Sequence, residues 1–272
     1  MPMKFLPGLR YRMPIMFGPS ISPRQGPDGI RYNFDGVQKT LVKATFLTDA
    51  GLLESLLPPN FSLDGEPTIT VELQFYRHLE WLAGRGYNTF GIKIPVRFSG
   101  KRDTATGPLL VVLWENMAEP IITGREELGF AKLYCELPEP RVLAGAAHYV
   151  ARWDGHEFAH LDLTDVEDSA APAASAPIDG VLHYRYIPKL GVPGHADVEH
   201  AALTPAVGNT VTTSRYRSAR ASLRFFESKW QQLPTMHTVV NTLAALPLKK
   251  FLSASIAECV GGTDLSEQRA LY

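Results

Sequence analysis

Glycine and proline interrupt this 272-residue chain so often, at 22 and 21 positions, that few stretches are long enough for a helix of several turns. The segments between the breaks are short and alternate. In TITVELQFY, Thr68, Thr70, Glu72 and Gln74 interleave with Ile69, Val71, Leu73 and Phe75. Side chains of a strand point to opposite faces in turn, so this segment is a strand with one apolar and one polar face. GIKIPVRFSG alternates in the same way, and its Pro95 marks an edge or a bulge. YVARW and HEFAHLDLTDV flank Asp154-Gly155, a dipeptide suited to a two-residue hairpin turn. The pattern predicts an α+β fold, predominantly antiparallel β, with barrel-like sheets.

Helices are expected to be few. DAGLLESLLP offers Asp49 as an N-cap and stops at Pro58. ASLRFFESKWQQL and MHTVVNTLAAL each fit either a helix or irregular chain. EPIITGREELGF reads as a strand and a Gly-Arg turn. The longest apolar run, PLLVVLW, spans Pro108 to Trp114, far below the roughly 20 residues of a membrane-spanning helix. It reads as a buried strand. Residues 1–272 are expected to form one domain, with an irregular N-terminal extension over about 1–36 and a loop over about 166–180 around APAASAP.

Charge and composition narrow the function classes. The net charge is −1 and the basic residues are scattered, which argues against nucleic acid or anionic membrane as partners. Two cysteines, Cys135 and Cys259, make neither a disulfide framework nor a zinc site. Sparse thiols suit a reducing compartment, and the proline- and arginine-broken N-terminus lacks a signal peptide's apolar run, so a cytoplasmic location is expected. His195 and His200, five apart, are a weak ligand pattern, and Lys249-Lys250 reads as a solvated pair. Tyr184 and Tyr186 read as wall or core. Dinucleotide and serine-hydrolase signatures do not occur.

Lys132 stands out because Leu128, Phe130, Leu133 and Tyr134 surround it. An amine can attack a carbonyl and form an imine, whose protonated form accepts electrons from a breaking C–C or C–H bond. The attacking amine must be neutral, so its pKa must fall from about 10.4 toward the working pH. Burial does this by penalising the charged form. A lysine among apolar residues can equally snorkel to water.

The segment EPIITGREELGFAKL resembles the signature of the acetoacetate decarboxylase family, in which a lysine at the position of Lys132 forms a Schiff base. FLTDAGLLESLLPPNFSLDGEPTITVELQFY, GYNTFGIKIPVRFSG, YRYIPKLGVPGHADVEHA and LAALPLKKFLSASI are similar to further family segments, in order, over about residues 38–262. The resemblance implies a cone-like fold, a small oxo acid as substrate, no metal or organic cofactor, and a homo-oligomer. It implies Lys132 as nucleophile and Glu72 as the group assisting proton transfer. Arg125 is a candidate clamp for a substrate carboxylate, or else a structural arginine paired with Glu126. Gln74 and Phe130 are expected to line the site.

Three departures shape the expected reaction. Leu133 stands where family decarboxylases carry a second lysine, with Ala131 in place of a proline. Thr89 and Leu47 fall where those enzymes keep a glutamate and an arginine. The pattern resembles a divergent branch of the superfamily, some members of which keep the lysine and condense pyruvate with an aldehyde before dehydration, so that reaction is expected here ahead of acetoacetate decarboxylation. The same departures also fit a relative that binds small molecules without turning them over.

Overall fold

The computed structural model describes residues 4, 5, 7, 11–14, 32, 34–172, 177–208, 210–262 and 265–272. Its strands are β1 (Gln38–Leu47), β2 (Phe61–Leu63), β3 (Thr68–Arg77), β4 (Asn88–Ser99), β5 (Thr104–Glu115), β6 (Lys132–Tyr134) and β7 (Arg141–Leu143). They continue with β8 (Ala146–Trp153), β9 (His156–Asp168), β10 (Gly180–Pro188), β11 (Ala196–Pro205), β12 (Thr212–Phe225), β13 (Lys250–Val260) and β14 (Arg269–Leu271). Three short helices, α1 (Ala50–Glu54), α2 (Ala118–Thr123) and α3 (His237–Ala244), accompany them. The strands form one sheet in the order β14-β11-β10-β5-β4-β3-β1-β13-β12-β9-β8-β7, with β2 added to β4 and β6 to β5. All pairings are antiparallel except β10 and β6 on β5, as the alternation predicts.

The sheet folds over its apolar face, so that its two halves enclose the core. Trp114 of β5 meets Phe158 of β9 at 5.3 Å between ring centroids, and Phe75 of β3 meets Tyr149 of β8 at 5.8 Å. Ile69, Val71, Leu73 and Phe75, the apolar set of β3, are all buried there. The path stays open at β14 and β7. In β5 the register against β4 shifts between Ile92 and Lys93, so that Val111 is an extra residue. Such a bulge turns the following side chains to the other face. Before it Leu109 faces the core, and after it Val112 and Trp114 do. The run PLLVVLW therefore looks uniformly apolar although each half alternates. Pro95 follows this bulge, where the neighbours of β4 change from β3 to β2.

Local expectations fare unevenly. Asp49 caps α1, its carboxylate accepting from the Leu52 amide at 3.2 Å. The β8–β9 hairpin turns at Asp154 and Gly155 with φ of 47° and 78°, the left-handed conformation that this dipeptide tolerates. MHTVVNTLAAL supplies α3, whereas ASLRFFESKWQQL continues β12 to Phe225 and is not a helix. EPIITGREEL is not a strand and turn but α2 running into a π-helical turn, Gly124–Leu128, closed by Gly129 at φ 73°. Pro120 is compatible because it lies in the first helical turn, where amides need no intrahelical partner. β9 extends to Asp168, so the expected loop starts later than residue 166. Strands on both sides of it belong to the same sheet. Most of the extension over 1–36 lies outside the described residues, although its Arg12 pairs with Glu127 at 3.3 Å. Among the described residues no helix is long and apolar enough to cross a membrane.

Candidate active site

On the face of the sheet opposite the core lies a cavity of about 520 Å³. Strand register explains which side chains reach it. Lys43, Glu72, Gly91, Leu113 and Lys132 are successive cross-strand neighbours on β1, β3, β4, β5 and β6. Leu41, Gln74, Thr89 and Glu115 form the next row. All nine line the cavity.

Lys132 is 6% exposed. Its Nζ lies 2.9 Å from Glu115 Oε1, donates to the Pro120 carbonyl at 2.9 Å and sits 5.4 Å from the Phe130 ring centroid. Gly124 makes room for it, because a Cβ there would lie 2.6 Å from Nζ. Glu115 is 1% exposed, and its Oε2 has no hydrogen-bond partner among the described residues. Burial pushes its carboxyl above the ordinary range, while Lys132 pulls the other way. The pair is thus buried together at the cavity wall.

Glu72 sits in a different set of contacts. Lys93 Nζ is 2.8 Å from its Oε1, Lys43 Nζ is 3.4 Å from its Oε2, and Gln74 donates to Oε1 at 2.8 Å. Tyr76 in turn donates to Gln74 Oε1 at 2.6 Å. Burial alone would raise the Glu72 pKa, but Lys93 and Lys43 outweigh it and hold it at about 2. Glu72 is therefore a fixed anion. His183 of β10 also lines the cavity, stacked on Phe130 at 4.0 Å with its Nε2 2.9 Å from Thr204 Oγ1. Burial, followed by Lys93 and Lys132, lowers its pKa to about 3, so the ring is neutral.

Of the residues expected from the sequence, Lys132, Glu72, Gln74 and Phe130 come together around this cavity. Arg125 does not. It is absent from the lining, and its guanidinium donates to the Lys132 carbonyl at 2.9 Å, which makes it a backbone brace. Glu72 contacts Lys93 and Lys43 rather than Lys132. The sequence reading missed Glu115, which directly follows the apolar run PLLVVLW, and it missed Lys43, Lys93 and His183. The lysines carried a readable signal, because both stand on the polar phase of an alternating strand. Thr89 lines the cavity, and its hydroxyl has no partner among the described residues; Leu47 lies beyond the lining. Lys249 pairs with Asp49 at 2.9 Å and is absent from the cavity lining. Among the described residues no group of three or more His, Cys, Asp or Glu is placed to hold a metal ion.

Comparison with known proteins gives the same architecture. The family described as acetoacetate decarboxylase matches residues 12–266. An acetoacetate decarboxylase structure aligns over 97% of this chain and 95% of its own, with 18% identity and a TM-score of 0.68. The acetoacetate decarboxylase of Legionella pneumophila aligns over 91% and 92%, with 17% identity and a TM-score of 0.62. The enduracididine biosynthesis enzyme MppR, complexed with the condensation product of pyruvate and imidazole 4-carboxaldehyde, aligns over 86% and 87%, with 15% identity and a TM-score of 0.63. No protein with a curated description matches.

Proposed function

Because the chain belongs to the acetoacetate decarboxylase family, we propose that it is a carbon–carbon lyase that forms a Schiff base through Lys132 with an oxo acid. The observation that carries this reading is the buried Lys132–Glu115 pair, 2.9 Å apart at the wall of a cavity. Proton transfer from the ammonium to Glu115 leaves a neutral amine and a carboxylic acid. The amine adds to the keto carbon, and the carbinolamine loses its hydroxyl as water by taking up the Glu115 proton. The resulting iminium lies beside a carboxylate again, which stabilises the cation in a site of low polarity.

From the iminium two routes are open. Loss of carbon dioxide from a 3-oxo acid sends the C–C electron pair into the iminium and gives an enamine. Transfer of a proton from the methyl group of pyruvate to the Glu115 carboxylate gives an enamine with the carboxylate retained. That enamine attacks an aldehyde carbonyl, the adduct sheds water, and hydrolysis frees Lys132. We favour the second route. Lys93 and Lys43 offer ammonium groups to a retained carboxylate, and a cavity of about 520 Å³ has room for a second reactant. Glu72 then acts as the anion that positions these lysines, in place of the proton-transfer role expected from the sequence.

Incubation with pyruvate, or with acetoacetate, followed by borohydride reduction and intact-mass measurement tests the reading. A mass gain on Lys132 with pyruvate supports the aldol route, and a gain with acetoacetate alone supports decarboxylation. No adduct with either from neutral to alkaline pH would leave a binding protein as the better description.

A further inference from the structure

The face of β4 that lines the cavity carries, in order, Lys93, Gly91 and Thr89, with Tyr87 next to the strand's first residue. This is a gradient from a cation, past an open floor, to an aromatic end. Lys132 and Glu115 stand beside the middle of it, since Thr89 pairs with Glu115 and Gly91 with Leu113, the neighbour of Lys132. At the far end the rings of Tyr87 and Tyr76 lie 5.0 Å apart, and Trp81 stands edge-on to Tyr87 at 6.4 Å. All three rings line the cavity. Trp81 belongs to a short 3₁₀ turn, Glu80–Leu82, between β3 and β4. From Glu115 to Tyr87 is one strand spacing across and two residues along, about 8 Å between Cα positions. Burial raises both phenol pKa values, aided at Tyr76 by Glu72 and then Glu115 and at Tyr87 by Glu115.

A three- or four-carbon oxo acid would fill a small part of this space, because pockets of roughly 300–1,000 Å³ enclose drug-sized molecules. Resting on the imine reading above, we infer that the substrate or condensation product is an oxo acid with an aryl tail. It lies along β4 with its carboxylate at Lys93, its keto carbon at Lys132 and its ring against Tyr87 and Trp81. Aromatic pairs gain energy beyond area burial, so this end of the cavity discriminates among tails. The phenols stay protonated, and Lys39 Nζ lies 5.8 Å from the Tyr76 ring centroid, so this end of the cavity offers ring faces, O–H donors and one cation to the electron-rich face of an aryl group.

The test compares borohydride trapping at Lys132 with pyruvate, 4-phenyl-2-oxobut-3-enoate and 2-oxoglutarate. A second arm uses calorimetry with 3-phenylpropanoate against propanoate, two acids that have no keto group and cannot form an imine. The aryl compounds should act at concentrations at least about tenfold lower in both arms, and Trp81→Ala should shrink that ratio to about twofold, with Trp81→Phe restoring most of it. Equal trapping of pyruvate and the aryl acid, or a preference for 2-oxoglutarate, would overturn the aryl seat while leaving the imine reading intact. Calorimetric preference for 3-phenylpropanoate without any adduct would overturn the imine reading and keep the seat. Neither adduct nor preference would overturn both.

Discussion

Replacing Glu115 with glutamine keeps the shape of the side chain and removes its charge. Lys132, 6% exposed, then has the Pro120 carbonyl but no counter-ion. Removing one member of a buried pair costs about 3–5 kcal/mol, because the remaining charge stays desolvated. Lys132→Met alone leaves the Glu115 carboxylate dry, which that group relieves by taking up a proton. The double variant removes both charges and fills the space with an apolar chain of similar length. Urea unfolding of the four proteins at pH 7 should therefore show strong non-additivity. Glu115→Gln should be less stable by about 3 kcal/mol, and the double variant should recover at least about 2 kcal/mol of that. Borohydride trapping should fall about 100-fold in Glu115→Gln, the scale of a lost general acid–base group. Additive effects within about 0.5 kcal/mol, together with normal trapping, would refute the dry-pair reasoning.

Gly124→Ala places a methyl group against the end of the Lys132 side chain, so trapping should fall at least about tenfold while thermal stability stays within a few degrees, since alanine suits a helix better by about 1 kcal/mol. The Glu72 pKa of about 2 lies below its unfolded value of 4.5, so its stabilisation is present above pH 4.5 and is lost as pH falls toward 2. It amounts to on the order of 3 kcal/mol, and the stability difference between wild type and Glu72→Gln should close over that window in denaturant titrations. The His183 pKa of about 3 lies below 6.5, so wild type should already lose stability from pH 6.5 to 5, by about 2 kcal/mol, and His183→Phe should lack that early loss. Arg125→Met should lower stability through the lost bond to the Lys132 carbonyl; a change confined to affinity for oxo acids would restore Arg125 as a substrate clamp.

How much of this was readable in advance depended on periodicity. β3, β4 and the β8–β9 hairpin show their alternation in the residues themselves, and one face of each is buried as that alternation requires. EPIITGREEL has no such period, and two signals in it conflict: Ile121 and Ile122 favour a strand, while Pro120 and Glu119 fit a first helical turn. Tertiary packing decided for the helix. Lys132 was legible from its apolar neighbours and from the resemblance they belong to. Its partner was not, because Glu115 comes from a strand joined to β6 only by parallel pairing across an intervening helix. The Lys93–Glu72–Lys43 cluster likewise spans three strands whose adjacency no local pattern discloses.

The extra residue in β5 acts as a parity switch for the proposed site. With Val111 present, Pro108 and Leu110 face the cavity before it, and Leu113 and Glu115 face it afterwards. Loss of that single codon, with no change to any residue named in the chemistry, would exchange the two sets beyond it. Trp114 would enter the cavity, and Glu115 would be driven into the hydrocarbon core away from Lys132. The surface turns of the chain can absorb insertions and deletions, but here the reading frame of the strand is itself a requirement of the proposed site, and a homologue's length over these twelve residues carries as much information as its sequence.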